Sequence, residues 1–210
     1  MYYCRSERIF NSMAIKKIVL LGEPKLRKIS TNIQVEDISK PYVQDVMRDL
    51  GDTLLAYKTP RKKIQKGVGI AANQIGSNLR IFAIYIETKM HAYTDVNAMP
   101  LTFFINPKII SHGEEMLDGF EGCMSFKHYR ARIRRYKDIE VEAYNEKGEL
   151  MKMKLKSFQA RVFQHEYDHL DGTVFIDKAD TQTLVRESDY AKKWKKAKPE
   201  VIEDLRSHRY

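Results

Sequence analysis

The segment Gln164-His165-Glu166-Tyr167-Asp168-His169 contains the pattern His-Glu-x-x-His. On a helix, residues four apart share a face, so His165 and His169 can point at the same atom. Two imidazoles at that spacing bind a transition metal, and the glutamate between them is close enough to a metal-bound water to move its proton. The pattern gives only two protein ligands, whereas a catalytic site of the zinc type has about three plus a water. The third must come from elsewhere in the chain, and Cys123 is the obvious candidate. Alone, a five-residue pattern also arises by chance, and Cys123 alone also reads as an inert buried thiol.

The elements that must position these groups can be read from periodicity. Phe158, Val162, His165 and His169 fall on one side of a helix over 157–171, Leu170 lies beside them, and Asp171-Gly172 is a stop signal. Asp168 lies off the face of His169 and is read as a supporting or surface group rather than a ligand. Val43, Val46, Met47, Leu50, Leu54 and Tyr57 recur at three and four after Pro41, which predicts an amphipathic core helix over 41–58. Residues 15–21 are a short apolar run, 58–66 a basic loop, 79–87 a buried strand and 88–100 a loop. A strand over 101–110 is interrupted at Asn106-Pro107, where proline implies an edge or an end. Residues 111–118 read as a turn region. Ile139, Val141 and Ala143 alternate with polar neighbours, 145–148 turn, and 150–155 run back as a hairpin. A short strand is expected at 173–177. A charged helix is expected over 187–206, broken or restarted at Pro199, with Tyr190, Trp194, Val201, Ile202 and Leu205 on its apolar side.

Composition sets the outer bounds. The chain has 210 residues, 43% of them hydrophobic, enough for one domain with a real core. Two cysteines, Cys4 and Cys123, suggest no disulfide framework and favour a reducing compartment. The longest apolar run, 81–86, is far too short to span a bilayer. Residues 1–12 lack the apolar stretch of a signal peptide and make a weak transit peptide; they are expected to be a disordered leader, with Met13 an alternative start. Charged residues make up 31%, and the net charge of +9 points toward anionic partners such as RNA, or toward solubility. No Gly-Lys-Ser/Thr or G-x-G-x-x-G nucleotide loop occurs in the glycine-rich stretch 67–76.

Three separated segments now line up: Gly-x-Gly-Ile-Ala-Ala-x-Gln at 67–74, Glu-Gly-Cys-Met-Ser at 121–125 and Gln-His-Glu-x-Asp-His-Leu at 164–170. In this order and spacing they resemble the three motifs of peptide deformylases, which remove the formyl group from the N-terminal formylmethionine of new polypeptides. The resemblance covers roughly residues 15–178. It implies metal ligation by Cys123, His165 and His169, with Glu166 as general base for a metal-activated water and proton donor to the departing amine. It assigns the oxyanion donors to the Gln74 side chain and the Met124 backbone N–H, although Gln74 also reads as an amide bridging two loops. Gly69 and Ile70 are implied to line the peptide groove, as an added strand would require, though plain loop geometry explains them nearly as well. Arg130 and Arg135 match family arginines near the substrate. Ferrous iron is the implied metal, with zinc, nickel or cobalt acceptable in purified protein. The chain departs from the family's usual residues at Ile70, Asn73 and Met124, and at 126–129, where Lys127 stands in place of a proline at the groove's rim.

The resulting expectation is an α+β domain over 13–180, with antiparallel sheets wrapped around a central metal-binding helix and a second amphipathic helix outside. A charged helical extension is expected over 181–210. The expected activity is hydrolysis of N-formylmethionyl nascent peptides in the cytoplasm, with organellar import left open and neither membrane nor DNA as partner. Two basic clusters stand out: Lys127, Arg130, Arg132, Arg134, Arg135 and Lys137, and Lys192, Lys193, Lys195, Lys196 and Lys198 around Trp194. They read as solvated faces, or, by analogy with bacterial relatives, the second as a ribosome contact. The competing readings are a divergent hydrolase of another formylated or acylated amide and an inactive ribosome-binding module. A metalloprotease fits less well, because its third ligand usually lies downstream of the helix and Cys123 lies upstream.

Overall fold

The computed structural model describes residues 15–57, 67–87 and 98–196. The leader at 1–12, the basic loop at 58–66 and most of the loop at 88–100 lie outside the described residues. So do the C-terminal helix beyond 196 and the side chains of Lys193, Trp194, Lys195 and Lys196.

In chain order the elements are α1 (Pro41–Ala56), β1 (Gly69–Ala71), β2 (Ile81–Ile86), β3 (Met99–His112), β4 (Met116–Cys123), β5 (Phe126–Tyr136), β6 (Asp138–Tyr144), β7 (Leu150–Lys156), α2 (Ser157–Leu170), β8 (Asp180–Arg186) and α3 (Glu187–Lys196). Five strands form an antiparallel sheet in the order β1-β2-β3-β6-β7, and three form a second in the order β4-β5-β8. α2 packs against β1, β2, β6 and β7 of the first sheet and against β5 of the second. This is the expected α+β arrangement, with the helix that carries His165 and His169 packed against both sheets.

The uninterrupted apolar run of β2 has a direct cause: the larger sheet is covered on both faces. Phe82, Ile84 and Ile86 face α2, where Phe82, Phe104 and Phe163 meet with ring centroids 5.0–5.2 Å apart. Ile81 and Ala83 face the other way, into Val43, Met47, Leu50 and Leu54 of α1. Pro41 sits in the first turn of α1, where its missing N–H leaves no bond unmade. A third cluster joins Cys123, Ala131 and Ile133 of the smaller sheet to Val174 and Phe175.

Several expectations are corrected. β3 does not stop at Asn106-Pro107; it bends there, with a register break between Ile105 and Lys108 and Asn106 at φ +48°. Proline needs no ladder partner at such a bulge. The turn expected over 111–118 is short, because β3 runs to His112 and β4 starts at Met116. The basic stretch 126–136 is a strand, β5, whose inward residues are Ala131, Ile133 and Arg135. Residues 173–177 form a 3-10 turn over Phe175–Asp177 rather than a strand, held by Val174 N–H donating to Asp177 Oδ2 over 2.8 Å. The extension expected from 181 begins as β8, which pairs with β5, before α3 starts at Glu187.

Candidate active site and metal centre

β1 with the turn after it, β4 and α2 bring the three motifs together. The Cys123 sulfur and one nitrogen from each of His165 and His169 all lie within 4.8 Å of one another. Cys123 Sγ is 3.2 Å from His169 Nε2. Donor atoms sharing one ion at ordinary metal–sulfur and metal–nitrogen lengths lie about 3.5 Å apart, so the donor set fits a small divalent cation. Glu166, on the same helix, is 4% exposed, and its Oε2 meets no hydrogen-bond partner among the described residues. A buried carboxylate without a partner is costly unless a bound group is to face it.

The electrostatics favour a thiolate. Burial alone would push the Cys123 thiol up, but the charge of His169 and hydrogen bonds from both histidines outweigh it, and the thiol is held well below its usual range. Gln74 Nε2 and Ser125 N–H each donate to the sulfur over 3.4 Å. Burial alone would lower His165, yet hydrogen bonds to Cys123 and Glu121 raise it well above the usual histidine range. A cation in place of these protons would satisfy the same thiolate. Burial raises Glu166 to about 7.

Glu121 is the group that sequence reading passed over. It stands two residues before Cys123 on β4. Its carboxylate accepts from His165 Nδ1 over 2.9 Å, which leaves Nε2 for the metal. Arg135 grips both oxygens of Glu121 at 2.9 Å, and Arg161 donates to Oε1 over 2.8 Å. Arg135, by its charge and hydrogen bonds, and to a lesser degree His165 hold the Glu121 carboxyl far below the usual range against the opposing effect of burial. Arg135, expected near substrate, is 4% exposed and also pairs with Asp168, itself bonded to Lys178. It therefore braces α2 and does not line the cavity over the centre. Asp168 is a supporting group, as its position on the helix implied.

Gln74 is oriented from both ends. Ala71 N–H donates to its Oε1 over 2.8 Å, and its Nε2 donates to Ser125 Oγ over 3.1 Å. The extended segment before the first turn fixes the same two loops: Val19 N–H bonds Gln74 O and Leu21 N–H bonds Ser125 O, each at 2.8 Å. Asn73 donates to the backbone carbonyl of His169, tying the Gln74 turn to the ligand helix.

A cavity of about 220 Å³ opens over the centre, lined by Gly69, Gln74, Cys123, Met124, His165 and Glu166, with Phe120, Arg130, Phe158, Val162 and Tyr190 around it. β1 is an edge strand. The bond from Tyr85 N–H to Val68 O fixes its phase, so Ile70 turns its backbone to β2, where it pairs with Ala83, and Gly69 and Ala71 turn theirs outward. Ile70 is fully buried under α1, so of the two expected groove residues only Gly69 reaches the cavity.

Fold and site together define a protein of the His-Glu-x-x-His class, with a cysteine placed where it could be a third metal ligand and a strand edge beside the same cavity. A family model for polypeptide deformylase matches residues 15–184. The chain is 38% identical over 166 residues to peptide deformylase 1 of Prochlorococcus marinus, covering 79% of this chain and 81% of that one. It is 36% identical over 174 residues to peptide deformylase 2 of Nostoc sp., covering 82% and 91%. Among solved structures it resembles the Met-Ala-Ser-bound class I type b peptide deformylase of Acinetobacter baumannii, with a TM-score of 0.71, 26% identity and coverage of 80% and 99%. The Thermotoga maritima peptide deformylase matches with a TM-score of 0.65 at 29% identity, covering 79% and 98%. The chain belongs to the polypeptide deformylase family, metal-dependent hydrolases of protein biosynthesis that remove the N-formyl group from nascent peptides.

Proposed function

We propose that this chain hydrolyses the formyl group of N-formylmethionyl nascent polypeptides at the centre formed by Cys123, His165 and His169. The observation that carries the reading is the convergence of that thiolate and two imidazoles beside a buried carboxylate with an unpartnered oxygen. When bound there, a metal supplies Lewis acidity, making a water a nucleophile near neutral pH and polarising the formyl carbonyl. Glu166 takes the proton of the attacking water on its carboxylate and later gives it to the leaving amine. Gln74 Nε2, aimed by the contact at its other end, donates to the developing oxyanion, and the Met124 backbone N–H is the second donor. One such donor is worth about 3 kcal/mol of barrier. The outward backbone of Gly69 pairs with the peptide as an added strand would. Arg130 lies at the cavity's rim and contacts the same substrate.

Ferrous iron is the metal proposed in the cell, on the family's usual metal; by affinity the thiolate and two imidazoles suit zinc, and nickel or cobalt are also accepted in purified protein. The reaction is proposed to take place in the cytoplasm, with an organelle as the alternative. Among the described residues no helix is long and apolar enough to cross a membrane. The deformylase unit is taken as 13–180, with 181–210 continuing it through β8 and α3, and the basic C-terminal segment with Lys192, Lys193, Lys195, Lys196 and Lys198 is proposed to contact the ribosome through phosphates. That contact predicts salt-sensitive co-sedimentation lost on removing the segment.

The deciding experiment is anaerobic purification, metal analysis and formate release from formyl-Met-Ala on one sample, beside the Glu166→Gln variant. Retained metal with nearly all turnover lost supports the assignment. Full turnover in the variant, or equal turnover of acetyl-Met-Ala, overturns it.

A further inference from the structure

Glu187 and Tyr190 lie beyond residues 15–184, where the family match ends, yet α3 brings Tyr190 into the wall of the cavity that holds Cys123 and Glu166. The route is short. β8 pairs antiparallel with β5, with Arg130 opposite Val185, and the chain turns directly into α3. There the Tyr190 ring lies 5.1 Å from the ring of Phe120 on β4, and the Arg130 guanidinium stands 5.1 Å over its face. Arg130 Nε also donates to Glu187 Oε2, so the same arginine is held by two residues one turn apart on α3. The pair is only partly exposed, at 25% for Arg130 and 33% for Glu187, so its charges are less screened than those of a surface pair.

Building on the deformylase reading, we infer that Tyr190 and the Arg130–Glu187 pair are specificity-determining residues, forming the outer wall against which substrate side chains beyond the formylmethionine pack. Two consequences follow from the chemistry. The Tyr190 ring, with Phe120 beside it, gives apolar and aromatic side chains a surface and favours them over small polar ones. Glu187 neutralises Arg130, so the wall is close to indifferent to substrate charge. Without the carboxylate, Arg130 presents an uncompensated cation and favours acidic residues.

The test uses the full-length metal-loaded enzyme and reads ratios of kcat/KM between substrates, which a general loss of folded protein does not move. Tyr190→Ala is expected to lower the ratio for formyl-Met-Leu-Phe over formyl-Met-Gly-Gly by about threefold to tenfold, and Tyr190→Phe, which keeps the ring, to restore it. Glu187→Gln is expected to raise the ratio for formyl-Met-Asp-Ala over formyl-Met-Lys-Ala by roughly the same factor. Ratios unchanged in both Tyr190→Ala and Glu187→Gln, with the wild type active, overturn the wall and leave the deformylase reading standing. A wild type that releases no formate from any of these peptides overturns both.

Discussion

Gly69 and Glu166 are in contact through the space where a side chain would otherwise be. A Cβ built on Gly69 would lie 2.7 Å from the Glu166 Cδ, a distance that no real packing tolerates. The glycine thus lets the strand edge approach the base closely. Gly69→Ala should displace the Glu166 carboxylate while leaving the ligands alone. Turnover is expected to fall by roughly tenfold to a hundredfold, with metal content unchanged, as steady-state kinetics and metal analysis on one preparation would show. Glu121 makes the opposite kind of prediction. Glu121→Gln keeps an oxygen for His165 but removes the charge that Arg135 and Arg161 face. The variant should lose about 3–5 kcal/mol of stability, and metal affinity about tenfold to a hundredfold, measurable by thermal melting and metal titration. Unchanged affinity would mean that Glu121 does not orient the ligand. The chemistry-bearing residues were legible because their types and spacings are constrained by the atom they share. Glu121 was not, because a carboxylate on a strand carries no signature until its partners, some forty residues away in the case of Arg161 and His165, are known to be near.

At the level of elements, β3 shows how one side chain can do a strand's work. Asn106 accepts from Ile33 N–H over 2.9 Å and donates to Ile33 O over 2.6 Å, standing in for a neighbouring backbone at the bulge. It does so at φ +48°, where asparagine is tolerated and β-carbon-bearing residues in general are strained. Asn106→Ala should cost about 1–3 kcal/mol. Asn106→Gly, relieved of the φ penalty, should cost less, and the order of melting temperatures decides the point. Asparagine before proline carries a turn signal, so reading an end there was natural; continuity is visible only once β6 takes over pairing at Ile105 just as β2 lets go. β5 was hidden for a different reason. Its run of arginines and lysines resembles a solvated stretch, and the inward position of Arg135 makes sense only when Glu121 and Asp168 are there to meet it. The hairpin of β6 and β7 and the helices α1 and α2 were legible because each alternates or recurs cleanly against one core.

For the molecule as a whole, the centre bridges two layers. Cys123 belongs to the three-stranded sheet, while His165 and His169 ride on the helix packed beneath the five-stranded one. A cation shared by these residues links the layers, so its removal should be felt by the entire fold. Chelation is expected to lower the melting temperature, by an amount equivalent to about 2.7 kcal/mol when the free ion stood at a hundred times its dissociation constant. Restoring the ion should reverse the change, and an identical melting curve with and without metal would argue that the layers are locked by protein contacts alone. The distribution of the site along the chain also has a temporal consequence. Gln74, Cys123 and the two imidazoles are spread over nearly a hundred residues, and the outer strand that braces β5 comes later still, at 180–186. During translation, then, the polypeptide carries no working centre until α2 has been made, and no braced one until β8 follows: an enzyme that trims newborn chains must first wait for its own late-made helix and strand.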